Sequence, residues 1–428
     1  MPYATVETWS TGLWELMVLA ITILGAVKIF LEKEINFDFN SLGYPLIGLV
    51  IIGLFQLIIP ITSRKILTYD SFATWDATIK LLILIMFFGV FCSVINTDQR
   101  RQTVVNIIIV MASVIALIGI GQSYLGKLIW PRANAGYGPF VNRNHFAGFC
   151  VMAVGLAGAR VMLRTVERER MALHICYLII MCSGIVLSAS RGGFLALIGV
   201  VFFLTLNSVS TKKDAKNENV QNLKLRFART AVLLVVMAAG AMFITSSDDL
   251  MQRFANIQAE TEEGETPDQK FSRSELWQNT SKMIKDHPIF GVGLGAYQFV
   301  YPRYDQSSGI LRAEQAHNDY LHIIAETGIV GLILVISFIV ILFGKGFSLM
   351  QTKNVRRQAV ILGSLAGCFG IAIHSFVDFN LQITNNAQLF MVLAALATTM
   401  PIKEDADSEK EMYDEYTRSN KDHQNLLR

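Results

Sequence analysis

About eleven apolar stretches, each close to the roughly 17–25 residues that a bilayer core demands, constrain this chain more than any other feature. They run near 12–31, 41–61, 77–96, 103–122, 144–163, 172–190, 192–208, 229–245, 327–344, 358–376 and 386–402. In a chain of 428 residues, 52% hydrophobic and 17% charged, such stretches exclude an ordinary soluble protein and exceed a simple anchor. The reading is an all-α polytopic membrane protein. The first stretch lacks a basic leader and a small-residue cleavage site, so it is expected to persist as a helix.

The distribution of Lys and Arg sets the orientation. Taking the loops after the first, third, fifth, seventh and ninth helices as cytoplasmic places Arg100, Arg101, Arg164, Arg168, Arg170, Arg356 and Arg357 inside, against few basic residues opposite. The expected organisation is N-terminal transmembrane helices over 1–245, an outer loop domain with amphipathic helices over 246–326, C-terminal transmembrane helices over 327–403, and a cytoplasmic tail over 404–428 with the composition of a disordered segment. The N-terminus then lies outside. The net charge of +3 says little about partners and gives no reason to expect nucleic acid. Cys92, Cys150, Cys176, Cys182 and Cys368 fall in or beside spans without ligand spacing, so they read as packing residues rather than disulfides or zinc ligands.

Function is expected on the outer face. The spans hold few ionisable residues and no inverted repeat is apparent, which weighs against a secondary transporter. In the outer segment "SRSELWQNTSKMIKDHPIF", Ser272 and Ser274 are candidate caps. Leu276, Trp277, Thr280, Met283 and Ile284 share one helical face, and Pro288 marks the end. Gly291, Gly293 and Gly295 follow with no preceding strand and no Lys-Ser/Thr, which fits a tight turn rather than a phosphate cradle.

Among the outer polar residues, Arg191 in "LSASRGGFLAL" has two readings, an interfacial anchor or a bidentate phosphate clamp beside two close-approach glycines. Arg273 is a second candidate clamp, since the first turn of a helix is a poor place for an unpaired cation. His317, in "AEQAHNDYLHIIAETGIVGLILVI", is the candidate base. A continuous helix through this segment would place residues 317, 320, 321 and 324 on one face, with His317 at the membrane boundary. His317 and His322 are five apart and no HExxH pattern occurs, so no metal is expected. Tyr137, Arg143 and Asn144 stand at an outer helix mouth, with Asn144 a candidate cap. Asp378 can orient an arginine or accept a sugar hydroxyl, and His287 and His374 read as turn and pairing residues.

"GPFVNRNHFAGF", "SASRGGFLALIG", "SRSELW", "HPIFGVGLGAYQFVYPRY", "AHNDYLHIIAETGIVG" and "HSFVDFNLQI" occur in this order. Over residues 136–390 the chain resembles the O-antigen ligase and polymerase family. His317, Asn318, Gly328 and Gly331 match the ligase pattern of His, then Asn, Ser or Gln, nine residues, Gly, two residues, and Gly, Thr or Tyr. The resemblance implies a GT-C-like fold of 11–12 transmembrane helices. It also implies a glycosyltransferase at the periplasmic face of a Gram-negative inner membrane, with an undecaprenyl diphosphate-linked glycan as donor and a lipid A-core oligosaccharide as acceptor. His317 would be the general base and Arg191 and Arg273 the diphosphate clamps, with Asn318, Tyr137, Arg143, Asn144 and Asp378 supporting and no cofactor required. A polymerase or a protein O-oligosaccharyltransferase would use the same donor. A lipid-linked oligosaccharide flippase would need a polar cavity and no base.

Overall fold

The structure is a computed structural model that describes residues 8–32, 40–62, 65–125, 137–208, 273–305 and 313–400. Its helices are α1 (Thr8–Glu32), α2 (Gly43–Ile58), α3 (Ser71–Val94), α4 (Asp98–Leu125), α5 (Arg143–Met162), α6 (Arg168–Leu187), α7 (Arg191–Asn207), α8 (Arg273–Asp286), α9 (Tyr297–Val300), α10 (Asp319–Leu349), α11 (Val355–His374) and α12 (Thr384–Thr398). A short antiparallel ribbon, β1 (Pro60–Thr62) with β2 (Lys65–Ile66), joins α2 to α3. The chain is an all-α polytopic membrane protein: α3, most of α4, α5, α6, α10 and α11 are each long and apolar enough to cross a bilayer, and Trp9–Gly25, α2 and α7 are shorter apolar helices. The predicted stretch 229–245, the 404–428 tail and Ser272 lie outside the described residues.

The bundle is organised around α5 and α11. Every residue from His145 to Arg160 is buried, because α5 is rich in alanine and glycine and other helices approach it on all sides. α11 lies against it backbone to backbone. A Cβ on Gly155 would stand 2.6 Å from the carbonyl oxygen of Gly363 and from the amide of Gly367, and one on Gly367 would stand 2.6 Å from the carbonyl oxygen of Met152. Between helices in lipid, where apolar burial gives no drive to associate, such small-residue contacts supply the packing energy. The outer helices instead turn large apolar side chains outward, among them Leu16, Leu24, Ile58, Phe72 and Val340.

One end of the bundle is pinned by buried arginines. Arg101 donates to the carbonyl oxygens of Leu396 (2.6 Å) and Thr399 (2.8 Å), closing the C-terminus of α12, where a cation also suits the helix dipole. Arg357 pairs with Asp98 at 2.6 Å, and Arg160 bonds Asn106 and Gln102. Arg164, Arg168, Arg170 and Arg356 lie at the same end, in or beside the α5–α6 and α10–α11 connections. The opposite end carries a smaller core of its own. There α8 buries Leu276, Asn279, Thr280 and Met283 against Val292, Tyr297, Val300, Tyr301, Ala316 and Ala325.

The segment from 313 to 336 is not one continuous helix. The regular helix begins at Asp319 and breaks inside α10 at Gly328 (φ 64, ψ −161). The backbone groups freed there are taken up across the turn: Ile329 N–H by the Pro288 carbonyl (2.9 Å), the Glu326 carbonyl by Gly293 N–H (3.1 Å) and Gln56 Nε2 (2.8 Å). Only glycine takes this conformation without strain, and a side chain at 328 would run into Ile289 and Phe290. Gly291, Gly293 and Gly295, all with positive φ, form the turn that fits against this break.

Leucine at Gly155 should force α5 and α11 apart. The expected loss is on the order of 3 kcal/mol or more, read as a lower melting temperature in detergent, whereas leucine at Gly12, which meets nothing within 4 Å, should leave the melt unchanged.

Candidate functional site

The connection from α11 to α12 carries a carboxylate with almost no access to water. Asp378 is 1% exposed, and its Oδ1 lies 3.4 Å from Nδ1 of His317. That distance is long for a hydrogen bond, and Nδ1 of His317 and Oδ2 of Asp378 have no bond of closed geometry. Burial opposes ionisation of Asp378. The hydrogen-bonding approach of His317 and the imidazoles of His145, His317 and His374 outweigh it, and together they hold the carboxyl at about 2, below the ordinary 3.8.

His317 does not stand on the helix. It occupies the turn before Asn318 with φ 48, a left-handed conformation that costs a non-glycine residue roughly 1–3 kcal/mol and persists only where its surroundings impose it. The predicted face shared by residues 317, 320, 321 and 324 is therefore absent, because the helix starts two residues later. Asn318 is the cap: its Oδ1 accepts from Leu321 N–H (3.0 Å), and its Nδ2 donates to the Phe376 carbonyl (2.9 Å). Four more bonds tie the start of α10 to the end of α11 and the same connection. Asp319 N–H donates to the Ser375 carbonyl (2.9 Å), Ser375 Oγ and Leu381 N–H donate to Asp319 Oδ2 (2.7 and 3.2 Å), and Tyr320 Oη donates to the Ala372 carbonyl (2.9 Å). The His317 side chain stays one-third exposed, with its ring edge-on to Phe379 at 4.7 Å.

Sequence reasoning missed two members of this cluster. His145 packs edge-on against the other side of Phe379 at 4.6 Å, and its carbonyl accepts from Asn386 Nδ2 (3.0 Å). His374, read as a pairing residue, is fully buried with neither ring nitrogen hydrogen-bonded. Gly192 lies so close to it that a Cβ there would stand 2.6 Å from His374 Cδ2. The clue in the sequence was their company, since His145 follows "VNRN" and His374 precedes "SFVD", both within segments singled out for other residues.

Arg191 opens α7 and is exposed. The three-residue turn before it is held by Ala189 at φ 52, by Ser188 Oγ donating to the Ile185 carbonyl (2.6 Å), and by Ser190 Oγ accepting from Gly193 N–H (3.1 Å). Arg143 opens α5 and Arg273 opens α8. Gly192, next to Arg191, touches His374; His145, two residues after Arg143, packs on Phe379; and Trp277, in the first turn after Arg273, donates to the Ala316 carbonyl beside His317 (3.1 Å). Three helix N-termini, each with arginine in first position, thus approach the His374–Asp378 connection. Asn144 does not cap α5. Asn142 does, its side chain accepting from Asn144 N–H (2.8 Å), because the residue with extended backbone before the first turn is Asn142. Tyr137 packs on Phe146 at 6.2 Å, beside a cleft between α4 and α6 lined by Gly119, Leu187 and Ser188. Among the described residues no group of three or more His, Cys, Asp or Glu side chains is placed to hold a metal ion.

The stability that ionised Asp378 contributes, on the order of 2 kcal/mol, should be complete above about pH 5 and lost as pH falls toward about 2, through its folded-state value. The melting difference between the wild type and Asp378→Asn should accordingly stay constant from about pH 8 to 5 and shrink below about pH 4. Replacing the cap, Asn318→Ala, should cost roughly 1–2 kcal/mol in the same melts at all of these pH values.

No curated protein matches the chain. A family model described as O-Antigen ligase matches residues 176–336, a span that starts within α6, ends within α10 and includes Arg191, Arg273 and His317, while His145, His374 and Asp378 lie outside it. The match indicates a glycosyltransferase of the O-antigen ligase or polymerase type. Over the segment that supplies these three side chains, the chain is similar to the O-antigen ligase family.

Proposed function

We propose that this protein transfers O-antigen polysaccharide from undecaprenyl diphosphate to a sugar hydroxyl of lipid A-core, at the periplasmic face of a Gram-negative inner membrane. The sidedness rests on charge: the end bearing Arg101, Arg160, Arg168 and Arg357 is the cytoplasmic one by the positive-inside rule, so the opposite end, with His317 and Asp378, faces the periplasm. The observation that carries the reading is the approach of three arginine-headed helix N-termini to the connection on which the His317–Asp378 pair is built.

A helix N-terminus favours an anion, and an arginine there adds a planar fork suited to phosphate oxygens. Arg191 and Arg273 bind the donor diphosphate at headgroup depth, with Arg143 guiding it in. Asp378 accepts from Nδ1–H of His317 and thereby leaves Nε2 as the basic nitrogen. The acceptor hydroxyl gives its proton to Nε2 as its oxygen attacks the anomeric carbon from the side opposite the diphosphate. The bond from that carbon to the phosphate oxygen breaks, its electron pair stays with undecaprenyl diphosphate, and the anomeric configuration inverts. The guanidiniums stabilise the charge that grows on the departing diphosphate, a role that a divalent cation fills elsewhere, and the step needs no metal or nucleotide.

In vesicles supplied with the lipid-linked donor and lipid A-core, His317→Ala and Arg191→Ala should each lower transfer at least about a thousandfold while still inserting and folding, with His317→Ala melting lower because Asp378 loses its partner. Near-normal transfer by His317→Ala would remove the base from this mechanism. Transfer should persist in EDTA, and its loss there would refute the metal-free step. Product formed on a second lipid-linked repeat, in place of lipid A-core, would assign a polymerase.

A further inference from the structure

The strained backbone of His317 is imposed from both sides, and one of those sides has no part in the transfer chemistry. After His317, Asn318 is fixed by its cap and by the Phe376 carbonyl. Before it, Ala316 is fully buried, and both of its backbone polar groups are taken by side chains. Its carbonyl accepts from Trp277 Nε1 of α8 (3.1 Å), and its N–H donates to Nδ1 of His322 (3.4 Å). His322 is 3% exposed, lies with its ring centroid 4.7 Å from that of Tyr297, and places Nε2 at 3.2 Å from Oε1 of the equally buried Glu326. The same carboxylate oxygen accepts Tyr297 N–H (3.3 Å).

Resting on the assignment of His317 as the base, we infer that His322 is a positioning residue for the transfer reaction, locked by Glu326 into the tautomer that clamps Ala316 and so aims His317. To accept the Ala316 N–H, Nδ1 of His322 must be bare, so the ring proton sits on Nε2 and is given to Glu326. Without an acceptor at the 326 position that tautomer loses its partner. With the proton on Nδ1 instead, two N–H groups would face each other and the clamp would open. Trp277 closes the other half, which ties the aim of the base to the docking of α8, the helix that also carries Arg273. A base that shifts by about 1 Å loses on the order of a hundredfold in rate while substrate binding is little changed.

The test measures kcat and KM for a purified undecaprenyl diphosphate-linked oligosaccharide with lipid A-core as acceptor, together with melting temperature. His322→Phe keeps a ring against Tyr297 and removes the acceptor; it should lower kcat on the order of a hundredfold with KM for the donor nearly unchanged. His322→Asn, which returns an oxygen close to the Nδ1 position, should recover most of that loss, and Glu326→Gln, still an acceptor, should sustain transfer where Glu326→Leu does not. If His322→Phe fails to fold, Trp277→Phe replaces it and should show the same fall in kcat at constant KM. Wild-type kcat in the folded His322→Phe and Trp277→Phe variants, with His317→Ala inactive, overturns the clamp and leaves the base in place. A His322→Asn variant that folds and is as slow as His322→Phe overturns it too. Transfer surviving in His317→Ala overturns both assignments.

Discussion

A carboxylate withdrawn from water must be met by a cation or by donors, or it does not stay ionised. Asp378 sets that condition at the outer end of the α5–α11 pair, and the rest of the site is arranged to meet it. His317 comes within 3.4 Å, which requires a left-handed residue immediately before a helix cap. That turn holds only because the start of α10 is bonded at Asn318, Asp319 and Tyr320 to residues 372–381. The imidazole that results packs edge-on against Phe379 and keeps a third of its surface open to water.

The same end of the molecule concentrates positive potential without burying it. α5, α7 and α8 each begin with an arginine, so helix dipoles and guanidiniums add positive potential at the same end. The opposite end uses arginine differently. Arg101 is wholly buried and caps the carbonyls of α12, and Arg357 neutralises Asp98. One residue type is buried as a lock at one end and stands at helix N-termini at the other.

Much of this was legible beforehand. Bilayer-length apolar runs fixed the helices from α1 to α7 and from α10 to α12, since hydropathy over a span depends on composition alone. The apolar face of α8 buries Leu276, Thr280 and Met283 as its spacing required, and Gly291, Gly293 and Gly295 form a tight turn. Other local details went astray. Asn142 rather than Asn144 caps α5, and the helix expected to carry His317 begins after it and breaks at Gly328. Caps and breaks are decided by one residue's backbone angles, and two asparagines a helical step apart offer the same side chain for the role.

The sequence by itself determined that the chain crosses a membrane many times, which end is basic, and that Arg191, Arg273, His317 and Asp378 lie near helix ends. These follow from hydropathy and charge, which are properties of single segments. Only the tertiary structure decided that His145 and His374 join Asp378 and that Trp277 and His322 hold Ala316. Trp277 and Ala316, and His145 and Asp378, lie tens to hundreds of positions apart, and the geometry of all these contacts is set by how closely glycine-lined helices such as α5 and α11 can approach, a quantity no local pattern encodes.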